Sequence, residues 1–269
     1  MRLHRWVDPC HITGPVISGV PVNLALGVFD GVHRGHQELL RRAVTAARRH
    51  PGGISTVLTF DPNPAAVLRP DLFPGNVSTM NQRLAEFRRF EIDETVVIRF
   101  SREFSLLPGE RFLQNLITAV PALKTVVVGY NFHMGHNRDV GAEKLKDWLS
   151  TDGIRVDIVP ALKDNDDSIS SSRVRRAIAT GDLGQVGIMT GRPYTIEVGK
   201  SPPKTRQECR QLLPPAGVYV CTFLTGGSSR EGMMEISESG DIQWEPRITK
   251  NHSVIPRRRV DVSDSTTKE

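Results

Sequence analysis

Cysteine is scarce in this chain, and long apolar runs are absent. Cys10, Cys209 and Cys221 are too few and too scattered among 269 residues for a disulfide framework or a cysteine-rich metal site. We therefore expect a reducing, cytoplasmic setting. No apolar run approaches the roughly 20 residues that span a bilayer, and Asp8 and Pro9 interrupt the N-terminus before an apolar signal core can form. The sequence predicts neither a membrane segment nor a secretory signal.

Charge and aromatic content narrow the kinds of partner. Thirty-five basic and 30 acidic residues give a net charge of +5, which suits anions such as ATP, flavin phosphates and nucleic acid. Aromatic residues make up only 6% of the chain and form no stripe with basic residues, so we predict no nucleic-acid partner. The basic run at 257–259 is typical of an exposed, mobile stretch near a chain end. Nothing in the sequence indicates an oligomeric state.

Short apolar runs alternate with helical patterns along most of the chain, and an apolar fraction of 38% suffices for a core. Runs typical of buried strands lie at 22–29, 54–60, 94–100, 124–130 and 153–159. Patterns typical of helices lie at 37–49, 79–90, 108–119, 142–149 and 169–179. Thr79 and Gln82 have the spacing of a capping box at the second of these helices. The alternation predicts an α/β fold with a parallel sheet covered by helices.

The stretch at 27–36, Gly-Val-Phe-Asp-Gly-Val-His-Arg-Gly-His, joins the first predicted strand to the first predicted helix. At such a junction, unpaired backbone N–H groups and the helix dipole favour an anion. Gly31 and Gly35 let the backbone approach a ligand closely, and His33 and His36 add donors that can be cationic. A histidine pair alone is often incidental. With the glycines at fixed offsets, the stretch predicts a phosphate-binding turn.

Three further segments follow predicted strands. Two prolines at 61–64 make a fixed loop after the second strand, and a polar loop containing glycine follows the fourth at 129–138. The Ile-Ser-Ser-Ser-Arg-Val-Arg segment at 169–175 begins a helix with hydroxyl and guanidinium groups, which bind phosphate oxygens. Taken singly, the proline loop is equally consistent with a rigid turn, and the serines with ordinary helix capping. Loops at the carboxyl ends of parallel strands, however, line the ligand crevice of such folds.

In this order, the four segments resemble the adenylyltransferase module of bacterial FAD synthetases, the prokaryotic riboflavin kinase/FMN adenylyltransferase family. That family shows Gly-x-Phe-Asp-Gly-x-His-x-Gly-His, Thr-Phe-x-Pro-x-Pro, Gly-x-(Asp or Asn)-Phe-x-Phe-Gly and Ile-Ser-Ser-(Thr or Ser)-x-(Ile or Val)-Arg. The resemblance covers about residues 15–190 and departs from the pattern at Met134, where the family usually has phenylalanine, and at His136 and Asn137. It implies a Rossmann-like nucleotidylyltransferase domain over residues 1–190.

The resemblance also implies a reaction and its residues. The phosphate of FMN would attack the α-phosphorus of ATP to give FAD and pyrophosphate, with Mg²⁺ bridging ATP phosphates and no metal ligand assigned in the protein. The implied catalytic residues are His33, His36 and Asp30, the last as a support for the turn or for Mg²⁺. The implied ATP-binding residues are Gly27, Phe29, Gly35, Ser170, Ser171, Arg173 and Arg175. The implied flavin-binding residues are Asp61, Pro62, Asn63, Pro64, Asn131 and Arg138.

Beyond residue 190 the sequence departs from the family. Bifunctional members have a riboflavin kinase module there, with a Gly-x-Pro-Thr-Ala-Asn segment at its ATP and Mg²⁺ site, and this sequence contains no Pro-Thr-Ala-Asn. Only the Pro-Pro-Ala-Gly-Val-Tyr run at 214–219 resembles that module. We predict that residues 191–269 form a shortened, β-rich remnant with a polar tail and without kinase activity.

Three alternatives remain open. The chain could be a bifunctional riboflavin kinase/FAD synthetase, or a non-enzymatic sensor that binds flavin or nucleotide. It could also be another small-molecule adenylyl- or cytidylyltransferase, which would share the His-x-Gly-His turn but not the proline and Asn-Phe loops. Analysis of the products formed from ATP, Mg²⁺ and either FMN or riboflavin distinguishes these functions.

Overall fold

A computed structural model of the chain describes residues 1–8, 17, 19–199, 202–245, 247 and 252–260. Cys10 and residues 261–269 lie outside the described part. The chain divides into two compact units, one of Met1–Phe73 with Arg83–Ser168 and one of Pro74–Gln82 with Ile169–Glu269. The functional boundary predicted at residue 190 stays a prediction.

The first unit is built on a six-stranded parallel sheet with the order β1-β4-β3-β2-β5-β8. Its strands are β1 (Arg2–Trp6), β2 (Val22–Leu26), β3 (Ile54–Asp61), β4 (Glu94–Arg99), β5 (Leu123–Gly129) and β8 (Arg155–Val159). Two short antiparallel hairpins complete the unit, β6 (His133–Met134) with β7 (Val140–Gly141) and β9 (Lys163–Asp164) with β10 (Asp167–Ser168). The parallel α/β architecture predicted from the sequence is confirmed.

Helices connect and cover these strands. They are α1 (Arg34–Ala47), α2 (Pro64–Leu68), α3 (Met80–Arg89), α4 (Gly109–Ala119) and α5 (Ala142–Thr151), with short 3₁₀ turns at Pro70–Leu72, Phe104–Leu106 and His136–Arg138. All residues of β2 are buried, as expected for a central strand covered on both faces. Helix α1 packs against β2, β3 and β5 through Leu40 and Ala43, which are fully buried.

The edge strand β1 is not among the strands predicted from the sequence. Arg2 and His4 both pair with the buried carboxylate of Glu94 on β4, His4 at 2.8 Å. Charged residues on an edge strand protect it against pairing with another chain, but they also remove the apolar run by which a strand is recognised. β1 therefore carries ion-pairing side chains at the edge of the sheet, and Trp6 is its one buried residue.

The second unit contains two helices and a five-stranded antiparallel sheet, which confirms the predicted β-rich C-terminal part. The helices are α6 (Ser171–Thr180) and α7 (Leu183–Thr190), and the strands are β11 (Ile196–Val198), β12 (Gly217–Thr225), β13 (Ser228–Ile236), β14 (Ile242–Glu245) and β15 (His252–Val260), in the order β11-β15-β12-β13-β14. The basic run at 257–259 was expected to be an exposed, mobile stretch near the chain end. Arg257 and Arg259 are exposed, as expected, but the run does not form an irregular tail. It lies in β15, which pairs with both β11 and β12.

Residues 74–82 are a strap that belongs to the second unit although both flanking segments belong to the first. The Leu212 N–H donates to the Asn76 carbonyl at 2.8 Å, and the Gln211 amide donates to the Val77 carbonyl at 3.0 Å. At its end the capping box is present, because the Thr79 N–H donates to Gln82 Oε1 at 2.9 Å and the Gln82 N–H donates to Thr79 Oγ1 at 3.2 Å. The helix predicted at 79–90 thus begins with the cap expected from its sequence.

None of the helices in the described ranges is long and apolar enough to cross a membrane.

We predict that Cys221 is chemically inert in the folded protein. It is fully buried, and burial raises the pKa of its thiol to about 12. Iodoacetamide at pH 8 should leave it unmodified until urea unfolds the protein, whereas the half-buried Cys209 should react sooner, as read by peptide mass spectrometry. Because the folded state binds this proton more tightly, the associated stability is complete below about pH 9 and is lost as the pH rises towards 12. Equal labelling rates in buffer and urea would contradict the burial.

Candidate active site

The turn between β2 and α1 has an unusual backbone. Phe29 and Val32 have positive φ angles of 54° and 38°, and Gly31 between them has a φ of 81°. Positive φ angles at non-glycine residues cost about 1–3 kcal/mol each and persist only where the surroundings impose them. Here the Val32 N–H donates to the Phe29 carbonyl at 3.2 Å, and the Gln37 side chain donates to the Val32 carbonyl at 3.0 Å. The turn is therefore a fixed structure.

The two histidines of the turn are stacked. Their ring centroids are 3.7 Å apart with an interplanar angle of 18°, and the His36 ring also contacts Phe29 at 5.1 Å. His33 is the N-cap of α1, and its Nδ1 accepts the His36 backbone N–H at 3.3 Å. Because Nδ1 accepts this bond, the ring proton of a neutral His33 is on Nε2. The stack thus presents side-chain donors where the dipole of α1 favours a negative charge.

Asp30 lies in the same turn and is 1% exposed. Its carboxylate interacts electrostatically with Arg83 on α3, which is 2% exposed. The sequence assigned Asp30 to the support of the turn or of Mg²⁺, and the contact with Arg83 is consistent with the first of these. Its contact with a metal stays a prediction.

The proline loop follows β3, the neighbour of β2 in the sheet. Asp61 is the last residue of β3 and is joined to Pro62 by a cis peptide bond. Asn63 is buried and caps α2 by accepting the Ala65 N–H at 3.1 Å, and Pro64 is the first residue of that helix. The four residues form a rigid corner, and their assignment to a flavin remains a prediction.

The loop after β5 contains the β6–β7 hairpin. Asn131 and Arg138 are both exposed, and His133 lies between them: its Nδ1 is 2.9 Å from the Asn131 carbonyl oxygen and 3.0 Å from an Nη of Arg138. Asn137 and Arg138 have positive φ angles of 54° and 60°. Arg138 is therefore held against the base of its own loop.

This loop is anchored to the start of α4. Pro108, the N-cap of α4, offers no side-chain acceptor, and both carboxylate oxygens of Asp139 accept the Gly109 N–H at 3.2 Å instead. Gly135 has a φ of +79°, and a Cβ at this position would lie 1.9 Å from Asp139 Oδ1 and 2.4 Å from the Gly109 nitrogen. Gly135 can approach Gly109 this closely only because it has no side chain.

The serine-rich helix start belongs to the second unit. Ser170 is the N-cap of α6 and accepts the Arg173 N–H at 3.2 Å, and Ser171 is the first residue of the helix. The Arg175 Nε donates to the Gly75 carbonyl of the strap at 3.2 Å. The capping that the sequence predicts is present, while the binding of phosphate by these residues stays a prediction.

Three of the four predicted segments follow β2, β3 and β5, which are neighbours in one parallel sheet. Their loops therefore leave the same carboxyl edge, where open α/β sheets bind ligands. The sequence did not identify Arg83, whose cation is buried beneath two of these loops. The available signal was its spacing, since Arg83 is four residues before the buried Phe87 and so lies on the apolar face of α3.

Within the described ranges, no group of three or more His, Cys, Asp or Glu side chains could hold a metal ion. A Mg²⁺ ion bound in a protein cage does not fit the residues seen here. We therefore derive no step through a protein-bound metal.

A parallel sheet with a histidine-bearing, phosphate-type turn at the start of its first crossover helix defines a Rossmann-like nucleotidyltransferase. The model of the FAD synthetase family matches residues 20–173, which is more than half of the chain. The chain therefore belongs to the FAD synthetase family.

Three relatives named bifunctional riboflavin kinase/FMN adenylyltransferase illustrate the similarity. The Listeria monocytogenes protein is 32% identical over 79% of this chain and 71% of its own length. The Escherichia coli K12 protein is 27% identical over 75% and 67%, respectively, and the Buchnera aphidicola protein from Schizaphis graminum is 29% identical over 64% and 55%. The chain thus spans between about half and seven tenths of the length of these relatives.

A crystal structure described as a macrolide-efflux protein from Streptococcus pneumoniae has a TM-score of 0.80 to this chain. It covers 97% of this chain and 91% of its own, at 24% sequence identity. At that identity, the similarity shows the shared fold alone.

We predict that Gly135→Ala destabilises the protein by roughly 3 kcal/mol, because it adds both a left-handed alanine and a clash with Asp139 and Gly109. Gly52→Ala is the matched control, since Gly52 also has a positive φ, of +66°, but nothing within 4 Å of the position of its Cβ. Only the conformational cost of about 1–2 kcal/mol should appear there. Urea denaturation measures both variants, and equal losses would contradict the tight anchoring of the loop.

Proposed function

We propose that this chain transfers AMP from ATP to FMN, forming FAD and releasing pyrophosphate. The observation that carries the proposal is the fixed turn that holds His33 and His36 in a stack at the N-terminus of α1. Membership of the FAD synthetase family and relatives named FMN adenylyltransferases support it.

In the proposed reaction, a phosphate oxygen of FMN attacks the α-phosphorus of ATP in line. The bond between the α-phosphorus and the oxygen bridging to the β-phosphate breaks, and pyrophosphate leaves with that electron pair. No covalent enzyme intermediate is formed. The tasks of the protein are to align the two phosphates and to stabilise the charge that develops on the leaving group.

The residues of the turn supply these effects. His33 donates from Nε2, since its Nδ1 already accepts the His36 N–H. His36 is held between His33 and Phe29, so that its ring is oriented before a substrate binds. Both imidazoles act on the α-phosphate and on the departing oxygen, assisted by the dipole of α1. Asp30 supports the turn from below.

The remaining residues are assigned by resemblance to the family. Ser170, Ser171, Arg173 and Arg175 bind the β- and γ-phosphates of ATP, and Gly27, Phe29 and Gly35 belong to the turn that binds the nucleotide. Asp61, Pro62, Asn63, Pro64, Asn131 and Arg138 lie on the flavin side. Mg²⁺ would be held by the phosphates of ATP rather than by a protein cage, and would neutralise part of their charge. We expect the reaction to take place in the cytoplasm.

The C-terminal part is proposed to lack riboflavin kinase activity. It forms a five-stranded antiparallel sheet whose strand β12 begins within the Pro-Pro-Ala-Gly-Val-Tyr run, but the sequence has no Pro-Thr-Ala-Asn segment to bind a second ATP. The relatives are named bifunctional riboflavin kinase/FMN adenylyltransferases, which favours the presence of kinase activity. Incubation with riboflavin distinguishes the two possibilities.

We predict that His36→Ala lowers FAD formation by about 10²-fold or more, the loss typical of one transition-state donor. The fold should remain intact, because His36 contributes its ring mainly to the stack. His50→Ala, which removes a histidine beyond the end of α1, is the control and should keep wild-type activity. Chromatography of FAD formed from FMN, ATP and Mg²⁺ measures the rate. A His36→Ala protein with near wild-type synthesis would remove this role.

We predict that purified protein incubated with riboflavin, ATP and Mg²⁺ forms no FMN, whereas incubation with FMN forms FAD and pyrophosphate. FMN made from riboflavin would establish a bifunctional enzyme. Binding of FMN and ATP without pyrophosphate release would indicate a sensor. Pyrophosphate release only with a different phosphate substrate would indicate another nucleotidyltransferase.

A further inference from the structure

We propose that Arg83 is a positioning residue that fixes the phosphate turn for nucleotidyl transfer. The inference rests on the proposed function for its consequence in catalysis, but its structural part can be measured without any reaction. Nothing in the resemblance to the family assigns a role to this residue. It lies on α3, outside all four sequence motifs.

One guanidinium nitrogen joins the ends of two neighbouring strands. Arg83 Nη1 donates to the Val28 carbonyl at 3.0 Å and to the Phe60 carbonyl at 3.1 Å. The Thr59 hydroxyl also donates to the Val28 carbonyl, at 2.9 Å. Val28 directly precedes the turn, and Phe60 precedes Asp61 at the end of β3. Arg83 therefore sets the spacing between the strand end that leads to the histidines and the one that leads to the proline loop.

The charge of Arg83 is balanced from both loops. Burial lowers the pKa of its guanidinium, and the carboxylates of Asp30 and Asp61 oppose that effect. Asp61 Oδ1 is 3.9 Å from Nη2. Because arginine is protonated at all physiological pH values, the site contains a buried cation between one carboxylate of the turn and one of the proline loop.

The arrangement is not what stability alone would favour. Among the residues that the structure describes, no acceptor lies within hydrogen-bond distance of Arg83 Nε, although this atom is buried. Replacement of a complete buried ion pair by apolar side chains is often neutral or stabilising, whereas removal of one partner alone is destabilising. Net stability therefore does not explain why a charged, hydrogen-bonding side chain lies at this position.

The strained turn provides that explanation. Phe29 and Val32 keep positive φ angles only while neighbouring groups impose them. The Phe29 ring is held by Phe87, at a centroid distance of 5.5 Å, and the carbonyl just before Phe29 is held by Arg83. Both restraining side chains come from α3, one helical turn apart. Removal of the guanidinium loosens the entry to the turn, while the bond from the Thr59 hydroxyl to the Val28 carbonyl and the aromatic contact remain.

The test compares Arg83→Met and Arg83→Lys with Arg88→Met, an exposed arginine of the same helix that serves as the control. We expect Arg83→Met to remain folded in buffer with a lower urea midpoint, because the buried Asp30 carboxylate loses the cation that it faces. We also expect it to lower kcat for FAD formation by about 10²-fold, as a small misplacement of catalytic groups does. The KM values for ATP and FMN should change by less than about threefold, because ground-state contacts remain. Arg83→Lys should recover part of kcat, since an ammonium can reach both carbonyls, and Arg88→Met should match the wild type.

Hydrogen exchange supplies the readout that does not depend on activity. The peptide covering residues 27–36 should exchange faster in Arg83→Met than in Arg88→Met, while peptides of β4 and β5 should not.

Unchanged exchange in this peptide, or kcat within threefold of the wild type, would overturn the inference. A KM effect without a kcat effect would also overturn it. If Arg83→Met does not fold, Arg83→Lys replaces it in both measurements. Wild-type kcat and wild-type exchange in Arg83→Lys would then contradict the inference. A wild-type protein that makes no FAD refutes the proposed function, and the exchange comparison still decides the role of Arg83.

Discussion

The conformation of the turn between β2 and α1 is the constraint on which the site depends. Left-handed backbone at Phe29 and Val32 is unfavourable in isolation, so it exists only because fixed groups surround it. A fully buried strand enters the turn, a capped helix leaves it, and α3 restrains it from the side with one aromatic ring and one guanidinium. The same restraint that costs stability keeps two imidazoles in one orientation. Preorganisation of this kind is what transfer between two phosphates requires, since there is little covalent chemistry for the protein to perform.

The sequence allows much of the first unit to be predicted, because its central strands are short apolar runs that no other element type explains. The turn at 27–36 and the cap of α6 could also be predicted, since glycine, serine and histidine signal their roles locally. β1 could not, because its residues are mostly polar and its place in the sheet comes from pairing with β4, about 90 positions away in the chain. Arg83 was missed for the same physical reason. The spacing from Phe87 places Arg83 on the buried face of α3, but the carbonyls that it bonds belong to distant residues, which no local pattern identifies.

In the C-terminal part, by contrast, a local sequence pattern suggested the wrong structure. The basic run at 257–259 suggested an exposed, mobile stretch, yet it is part of β15 and lies along β12, while β11 pairs with the start of β15 at 252–254. A strand at the interior of a sheet needs only one buried face, and its other face accepts charge, as Arg257 does by donating to the Thr222 hydroxyl at 3.1 Å. The β-rich prediction was confirmed because apolar alternation survives in β12, where Tyr219, Cys221 and Phe223 are buried in turn.

The strap at 74–82 makes the two units topologically inseparable. The chain enters the second unit at residue 74, returns to the first at 83 and leaves it again after 168, so no single cut divides them. A gene fragment that ended at residue 168 would leave Asn76 and Val77 without the Gln211 and Leu212 groups that bond their carbonyls. The C-terminal sheet therefore has a structural task that does not depend on any catalytic one. It supplies the groups that hold the strap in place.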